Sequence, residues 1–352
     1  MQTIVHHLSY KTTIQDIARE LNLTSATISR ALHNNPRISE QTRKLVLDTA
    51  KKLNYSRNRI ASSLRSGKSH TIGVIIPTAQ RSFFGSVVHG IQSEAKANGY
   101  SILLYQSEET TELEIKAIEA FLGARVDGIL ASIANSTTDF SHFEDLKRRK
   151  IPLVFFDRAN DALDIPCVVI DDYRGAYNAT EHLIKQGYKR IAHVSGQKHI
   201  KIFRERMEGY KDALRAHGME VKEEYIFTGD ISIERGKKAV DYYFDLDEPP
   251  DAFFAVEDYT ALGVMKRLRE RDKVIPDEFG VIGFANESFS EYMTPSLSTV
   301  DQQTVQMGKE AFSVLKDLIG ENGVTANIKT KVVLEPVLYC RQSSLKTGAE
   351  QA

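Results

Sequence analysis

The chain has 352 residues, of which 41% are hydrophobic and 26% are charged. This average composition excludes a disordered chain, a collagen-like repeat and a small disulfide-bonded scaffold. At roughly 150 residues per domain, the length predicts two or three folding units. The apolar runs, such as Ile72–Pro77, are shorter than the roughly 18 residues of a membrane-spanning helix. The N-terminus lacks the features of a signal peptide, and Cys167 and Cys340 lie in no metal or redox motif, so we expect a cytoplasmic protein.

The net charge of −1 conceals an uneven distribution. Residues 1–70 contain twelve basic and four acidic side chains, a net charge of +8, and the remaining residues carry −9. A basic head on an acidic body indicates that the head binds a polyanion and that the body has another role. An ordinary basic surface is the alternative when charge alone is considered.

The head is predicted to contain three short helices. Thr13 and Thr24 are placed to cap the first two, and Ser39 opens the third. Two short helices joined by a tight turn, with a packing helix, are typical of a helix-turn-helix domain. DNA binding is favoured over a protein-interaction module, because the second helix offers short polar side chains and Arg30 to a major groove. The predicted inward-facing residues are Ile14, Ile17, Ala18, Leu21, Ile28, Ala31, Leu32, Leu45, Val46, Ala50 and Leu53.

Beyond residue 70, short apolar runs alternate with amphipathic helical segments, a pattern typical of parallel α/β layers. Gly90–Gly99 and Gly209–Gly218 are similar to each other, and each follows a predicted strand, which indicates two similar lobes. Ligands of such sheets gather at the carboxyl ends of the strands, here in the cleft between the lobes. The predicted strands are Ile72–Pro77, Ser101–Gln106, Gly128–Ser132, Leu153–Asp157, Cys167–Ile170, Arg190–Ser195, Tyr225–Gly229, Ala252–Val256 and Gly280–Ala285.

Several motifs occur at specific spacings along nearly the whole chain. The head contains Thr13-Ile14-Gln15-Asp16-Ile17-Ala18 and Thr27-Ile28-Ser29-Arg30-Ala31-Leu32. The body contains Arg125-Val126-Asp127-Gly128 and Arg204-x-Arg206-x-x-Gly209-Tyr210. In these motifs the chain resembles the LacI/GalR family of bacterial repressors.

The resemblance implies an all-α helix-turn-helix head joined to a two-lobed, periplasmic-binding-protein-like α/β body whose parallel sheets are flanked by helices. The implied function is that of a transcription regulator, a repressor of carbohydrate-utilisation genes, whose affinity for palindromic operator DNA is controlled by a small-molecule effector such as a sugar or sugar derivative. Palindromic DNA requires two-fold symmetry, and the tail contains a single apolar leucine, Leu345, so a homodimer is expected rather than a tetramer.

The resemblance also predicts the domain boundaries. A DNA-binding domain is expected over residues 1–57, a hinge helix and linker over 58–70, an effector-binding and dimerisation body over 71–342, and a tail over 343–352. The chain is expected to cross between the lobes near 168–172, 298–302 and 330. The N-lobe would then contain 71–169 and 300–330, and the C-lobe 170–299 and 331–342.

Two sets of site residues follow from the resemblance. In the hinge, Leu64 is expected to insert into the minor groove as an apolar wedge. The predicted DNA contacts are Thr13, Ser25, Ala26, Thr27, Ser29, Arg30, Asn34, Asn58, Arg59, Ala61 and Leu64. The predicted effector contacts are Arg81, Phe83, Phe84, Ser132, Asp157, Arg206, Ile231, Glu257 and Gln302.

The nature of the effector is less determined. Arg206 is expected to hold ligand oxygens in a fork, with a solvated helix arginine as the alternative. Ala285 stands where sugar-binding members have Asp, and Glu257 stands where many have Asn. The loss of the Asp, with Arg206 and Arg81 retained, favours an acidic or electron-rich effector, and Glu257 opposes it.

Two other classes are less consistent with the sequence. An enzyme is disfavoured, because Gly67-Lys68-Ser69 lacks the first glycine of a phosphate loop and no HExxH or GxSxG motif occurs. An exported sugar-binding protein would share the two lobes but not the basic head. We expect no cofactor and no metal, since the ten histidines show no ligand spacing.

Overall fold

The computed structural model describes residues 12–55, 67–320 and 330–346. These residues form two compact units, one that precedes His70 and one that begins there. In the described part of the chain, no helix has both the length and the apolar character to cross a membrane.

The head consists of the helices α1 (Ile14–Leu21), α2 (Ser25–Leu32) and α3 (Glu40–Lys52). Each begins at a predicted cap, because the hydroxyl of Thr13, Thr24 or Ser39 accepts a hydrogen bond from an otherwise unpaired first-turn amide. Their apolar faces enclose a small core that includes the fully buried Ile17, Ile28, Ala31 and Val46. The prediction for Leu45 is wrong: it is 51% exposed, since it lies beside the buried stripe of α3 rather than on it.

The body contains two six-stranded sheets. The nine predicted strands form in nearly the expected places: β1 (Thr71–Ile76), β2 (Ser101–Gln106), β3 (Gly128–Ala131), β4 (Leu153–Phe156), β5 (Cys167–Ile170), β6 (Ile191–Ser195), β7 (Ile226–Thr228), β8 (Ala252–Ala255) and β9 (Gly280–Phe284). Three short strands were not predicted: β10 (Ser298–Asp301), β11 (Lys331–Leu334) and β12 (Val337–Tyr339).

Helices cover the sheets of both lobes. They are α4 (Ser82–Ala97), α5 (Thr111–Gly123), α6 (Ser141–Arg148), α7 (Asp172–Lys185), α8 (Lys201–Ala216), α9 (Ile233–Phe244), α10 (Asp258–Glu270) and α11 (Thr304–Gly320).

The strand order shows where the chain crosses between lobes. The N-lobe sheet has the order β11-β5-β4-β3-β1-β2, and the C-lobe sheet has the order β12-β10-β9-β8-β6-β7. All neighbours are parallel except β10 and β12. The same arrangement therefore occurs twice, as the internal similarity predicted.

One predicted crossing and one predicted lobe boundary need correction. β11 pairs in parallel with β5, and the backbone N of Asp171, just after β5, donates to Leu334 O at 3.0 Å. Residues 331–334 therefore belong to the N-lobe. The crossing lies at Glu335 and Pro336 rather than near 330. β10 pairs with β9, so Val300 and Asp301 belong to the C-lobe sheet.

The predicted tail also begins too early. Ser343 and Ser344 are fully buried against the C-lobe sheet. Val281 N donates to Ser343 O at 2.8 Å, and Ser343 Oγ donates to Val281 O at 2.6 Å. Buried backbone groups of β9 beyond the end of β10 need these partners. The C-lobe extends at least to Lys346, whose backbone N donates to Gln186 Oε1 at 3.1 Å.

The repeated glycines have a common physical reason. At Gly90, a Cβ atom would overlap the carbonyl oxygen of Val305 on α11, and at Gly209 it would overlap that of Tyr173 on α7. Gly99 and Gly218 lie just beyond their helices with φ of +77° and +69°. The first glycine of each repeat permits close helix packing, and the second ends the helix in a left-handed turn.

Candidate functional site

One face of α2 carries the predicted DNA-reading residues. Ile28 and Ala31 face the core of the head and are fully buried, so Ser25, Ala26 and Arg30 lie exposed on the opposite side. Short side chains permit a close approach of the helix to DNA, and the Arg30 guanidinium can bind base edges or phosphate.

The neighbouring predicted contacts are ordered by local hydrogen bonds. Thr13 is exposed and forms a reciprocal cap with Asp16, and the Thr27 hydroxyl lies 2.9 Å from that of Thr24. Ser29 is half-buried and accepts from His33 at its carbonyl, and Asn34 is exposed at φ +54°. The predicted hinge contacts lie outside the described residues: Asn58, Arg59, Ala61 and Leu64.

The second candidate site is a cavity of about 40 Å³ between the lobes of the body, which we call the inner cavity. Its walls follow the carboxyl ends of β4, β8, β9 and β10, the place where ligands of parallel sheets bind. Eight of the nine predicted effector contacts line it: Arg81, Phe83, Phe84, Asp157, Arg206, Ile231, Glu257 and Gln302. The ninth, Ser132, lies behind the wall and donates to Asp157 Oδ2 at 3.1 Å.

Arg206 is 3% exposed, which excludes the alternative of a solvated helix arginine. Its Nε donates to Asp172 Oδ1 at 2.7 Å and its Nη1 to Val256 O at 2.7 Å. Its guanidinium carbon lies 3.6 Å from the ring centroid of Phe284. Arg206 is therefore held rigidly, with its charge balanced by Asp172.

Arg81 and Glu287 connect the two lobes. Arg81 forms an ion pair with Glu257 of the C-lobe and donates from Nη2 to Ile231 O at 3.2 Å. Glu287 of the C-lobe accepts from the backbone N of Ser82 at 3.1 Å, at the N-terminus of α4 in the N-lobe. A carboxylate is stabilised at such a helix end, and these contacts hold the inner cavity closed.

The ion pairs of Arg81 and Arg206 weigh against the expected acidic effector. Arg81 and Arg206 were the cations that favoured it, and each is paired with a carboxylate. Burial raises the pKa of Glu257 to about 7, and burial also raises the pKa of Asp157. The inner cavity thus combines paired charges with carboxyl groups able to donate or accept, a chemistry that suits hydroxyl groups better than a free anion.

Backbone strain marks two residues of the wall. Ala285 has φ +122° and Asp157 has φ +60°. Such conformations cost free energy in residues other than glycine and concentrate at functional sites.

Sequence reasoning missed four residues of the wall: Arg158, Ile202, Phe203 and Glu287. Arg158 and Glu287 lie within two residues of the ends of predicted strands, so the rule that ligands bind at carboxyl ends could have found them. Ile202 and Phe203 begin the helix after β6, where the same rule applies. Ala285, which stands where sugar-binding members have Asp, also lies in the wall.

No group of three or more His, Cys, Asp or Glu side chains within the described residues is arranged to hold a metal ion.

An exposed helix-turn-helix face and a cavity between two similar α/β lobes define a ligand-responsive DNA-binding protein. Residues 13–58 match the bacterial regulatory proteins of the lacI family, and residues 69–337 match the periplasmic binding proteins and sugar binding domain of LacI family. The chain belongs to the LacI family and is a DNA-binding transcription regulator controlled by an effector.

Individual relatives agree with this assignment. Catabolite control protein A of Priestia megaterium is 35% identical over 90% of this chain and 95% of its own. A probable HTH-type transcriptional repressor ExuR of Bacillus subtilis is 32% identical over 95% of this chain and 98% of its own. The lac repressor dimer bound to operator and the anti-inducer ONPF shares the fold, with a TM-score of 0.84 at 23% identity over 95% and 99% of the chains.

Proposed function

We propose that the protein is a cytoplasmic homodimeric repressor of carbohydrate-utilisation genes. In this proposal α2 reads a palindromic operator. A sugar or sugar derivative that binds in the inner cavity sets the affinity for the operator. The observation that carries the proposal is the inner cavity itself. Eight predicted effector contacts, far apart in sequence, line one space between the lobes.

The mechanism would be linkage between two arrangements of the lobes. An effector whose hydroxyl groups pair with Glu257 or Glu287 competes with Arg81 and with the amide of Ser82 for the same carboxylates. Such an effector shifts the equilibrium between lobe arrangements only by its differential affinity for them. Operator DNA must then change effector affinity by the same factor.

DNA reading is tested by selecting fragments from a random-sequence pool with the purified full chain, followed by fluorescence anisotropy at fixed salt. Arg30→Ala should weaken binding by about 5- to 150-fold, the cost of about 1–3 kcal/mol for a lost base contact. Lys238→Ala removes the same charge from an exposed site of the body and should change affinity little. Selection that enriches no common sequence would contradict the proposal.

Effector binding is tested by screening sugars and sugar acids for a rise in melting temperature. A ligand that stabilises the protein should also move operator affinity, and Gln302→Ala should weaken both effects. Gln302 is buried in the cavity wall, whereas Gln306 is exposed on α11, so Gln306→Ala is the matched control. Equal responses in the two variants would show that the cavity is not the effector site.

A further inference from the structure

A second and larger cavity lies between the lobes, next to the inner cavity. It measures about 350 Å³, and we call it the outer chamber. Its polar lining residues include Asn135, Arg158 and Asp161 from the N-lobe and His199, Lys201 and Arg204 from the C-lobe. This volume is typical of a site for a small molecule, whereas the inner cavity has room for only a few waters.

The lining of the outer chamber contains more cationic than acidic side chains. Three cationic side chains line it, and Asp161 is its one acidic lining residue. Asp161 accepts from Lys201 at 2.5 Å, and Glu109 and Glu205 pair with Arg158 and Lys201 from behind the wall. Arg204 bonds backbone carbonyls, to His199 O at 2.7 Å, and has no carboxylate partner in the described part of the chain. An anion in the chamber would therefore meet an unpaired guanidinium.

The N-terminus of a long helix opens into the same space. α8 has 16 residues, and its first residues, Lys201 and Ile202, line the chamber. Its N-cap is Ile200, which supplies no side-chain hydrogen bond, and its first turn contains no acidic residue. The helix itself therefore supplies no negative side chain to the positive end of its dipole, and this end favours an anion in the chamber.

Arg158 supplies an independent sign of a missing ligand. Its side chain is 90% buried, and its terminal nitrogens donate to Glu109 and to Ile133 O. Its Nε has no hydrogen-bond partner among the described residues, since Asp157 Oδ2 is 3.9 Å away. A buried, unpaired donor on a charged group costs free energy, which a rotation of Arg158 toward an acceptor in the chamber would recover.

We propose that the outer chamber binds the oxyanion of a small ligand, either a phosphate monoester or a carboxylate. The anion would lie between Arg158 Nε, the Arg204 guanidinium and the N-terminus of α8. The inference rests on the proposed function in one respect, since it makes this group part of the effector. Arg158 and Ile202 line both cavities, so one ligand can place its hydroxyl groups in the inner cavity and its anion in the chamber.

The test titrates the full chain with inorganic phosphate and, separately, with acetate, at constant ionic strength, with binding measured by calorimetry. Arg204→Gln should weaken the tighter of the two probes about tenfold, as expected for one lost hydrogen bond to a charged group. Arg204→Lys should retain most of the affinity, and Lys189→Gln removes an exposed charge of the same lobe and should match the wild type. Phosphate sites in the basic head are common to all these variants and cancel in the comparison.

The outcomes separate the sources of the anion and the two proposals. Selective binding of phosphate points to a phosphorylated effector, and selective binding of acetate points to an acid. If neither probe binds more weakly to Arg204→Gln than to Lys189→Gln, the chamber is not an anion site, even where a neutral sugar controls operator affinity. If binding of an anion depends on Arg204 and no ligand changes operator affinity, the proposal of an anion site is supported and the proposed function is contradicted.

Discussion

Three carboxyl groups of the body are divided between their ionised and protonated forms near pH 7. Burial raises the pKa of Asp172, Glu257 and Asp258 to about 7 in each case. Asp258 accepts from Thr299 Oγ1 at 2.7 Å and from the backbone N of Glu287 at 2.7 Å, so it anchors the loop that closes the inner cavity. The same burial that orders the site therefore makes it sensitive to pH.

The free energy of unfolding should fall as the pH rises from about 6.5 to 8. The native carboxyl groups lose protons over this range, whereas the unfolded groups, with pKa near 4, have already lost them, and the difference is on the order of 2–3 kcal/mol for the three. Burial lowers the pKa of His193 to about 3, so below about pH 6.5 the unfolded state gains a proton there, which offsets about a third of the stability that the three carboxyl groups add as the pH falls further.

Denaturant unfolding at half-unit pH steps measures this profile. Glu257→Gln should remove about a third of the slope between about pH 6.5 and 8, because one of the three groups no longer titrates. A profile without a slope in that range would show that these carboxyl groups ionise normally in the folded protein.

The strained residue in the cavity wall gives a second prediction. Ala285 has φ +122°, a conformation that glycine adopts without a steric penalty. Ala285→Gly should raise the free energy of unfolding by about 1 kcal/mol, measured by urea denaturation. Ala255→Gly is the control: Ala255 is fully buried in β8, and its replacement should destabilise the protein. Destabilisation by both changes would mean that the Ala285 methyl group contributes more by packing than it costs in strain.

Among the elements, the helix pairs of the two lobes depend on glycines that face each other. A Cβ at Gly308 would overlap Val87 O, and one at Gly90 would overlap Val305 O, so α4 and α11 pack backbone to backbone. Gly236 and Gly263 bring α9 and α10 together in the same way. This contact sets the position of α4, whose N-terminus carries Arg81 and Ser82 into the inner cavity.

Gly308→Ala should therefore destabilise the body by about 1–3 kcal/mol, because the helices must separate. Gly85 is exposed on α4 with open space around its Cα, so Gly85→Ala should stabilise the protein by about 0.5–1 kcal/mol. Thermal unfolding of both variants beside the wild type measures the difference. If Gly308→Ala melts as the wild type does, the close helix contact is not needed.

The strands found by sequence are those with a continuous apolar run, since burial on both faces requires it. β10 lacks this signal, and the apolar runs of β11 and β12 are only three residues long. β10 is Ser-Thr-Val-Asp, and β11 has alternating exposed and half-buried residues, because it lies at a sheet edge. Their pairing depends on partners far away in sequence, which local periodicity does not report.

The candidate site, like the strands, was only partly predictable from the sequence. The resemblance supplied the residues that line the inner cavity, but not their pairing. That Arg206 pairs with Asp172 and Arg81 with Glu257 depends on which strand ends meet across the cleft. The sequence did not predict the outer chamber, because Lys201 and Arg204 have the pattern of surface charges on an amphipathic helix.

At the scale of the whole molecule, the chain after β12 is part of the body rather than an appendage. Ser343 and Ser344 are fully buried in the C-lobe, and Ser298 N donates to Ser343 Oγ at 2.8 Å. A truncation after Gln342 should cost several kcal/mol, since each buried polar group left unpaired costs about 1–3 kcal/mol. A truncation after Lys346 retains these bonds and should melt close to the wild type. Equal melting temperatures of the two truncated chains would contradict this role.

The connection between β11 and β12 has a mechanical consequence. Two residues, Glu335 and Pro336, join strands of different sheets, and the ring of Pro336 fixes one torsion and restricts the residue before it. With the other two crossings at residues 171 and 302–303, three short connections join the lobes, so we expect the lobes to move as bodies that rotate about these connections. Widening of the cleft and displacement of the opposite ends of the lobes are then a single movement, so a change of a few ångströms at Arg81 and Glu257 cannot stay local.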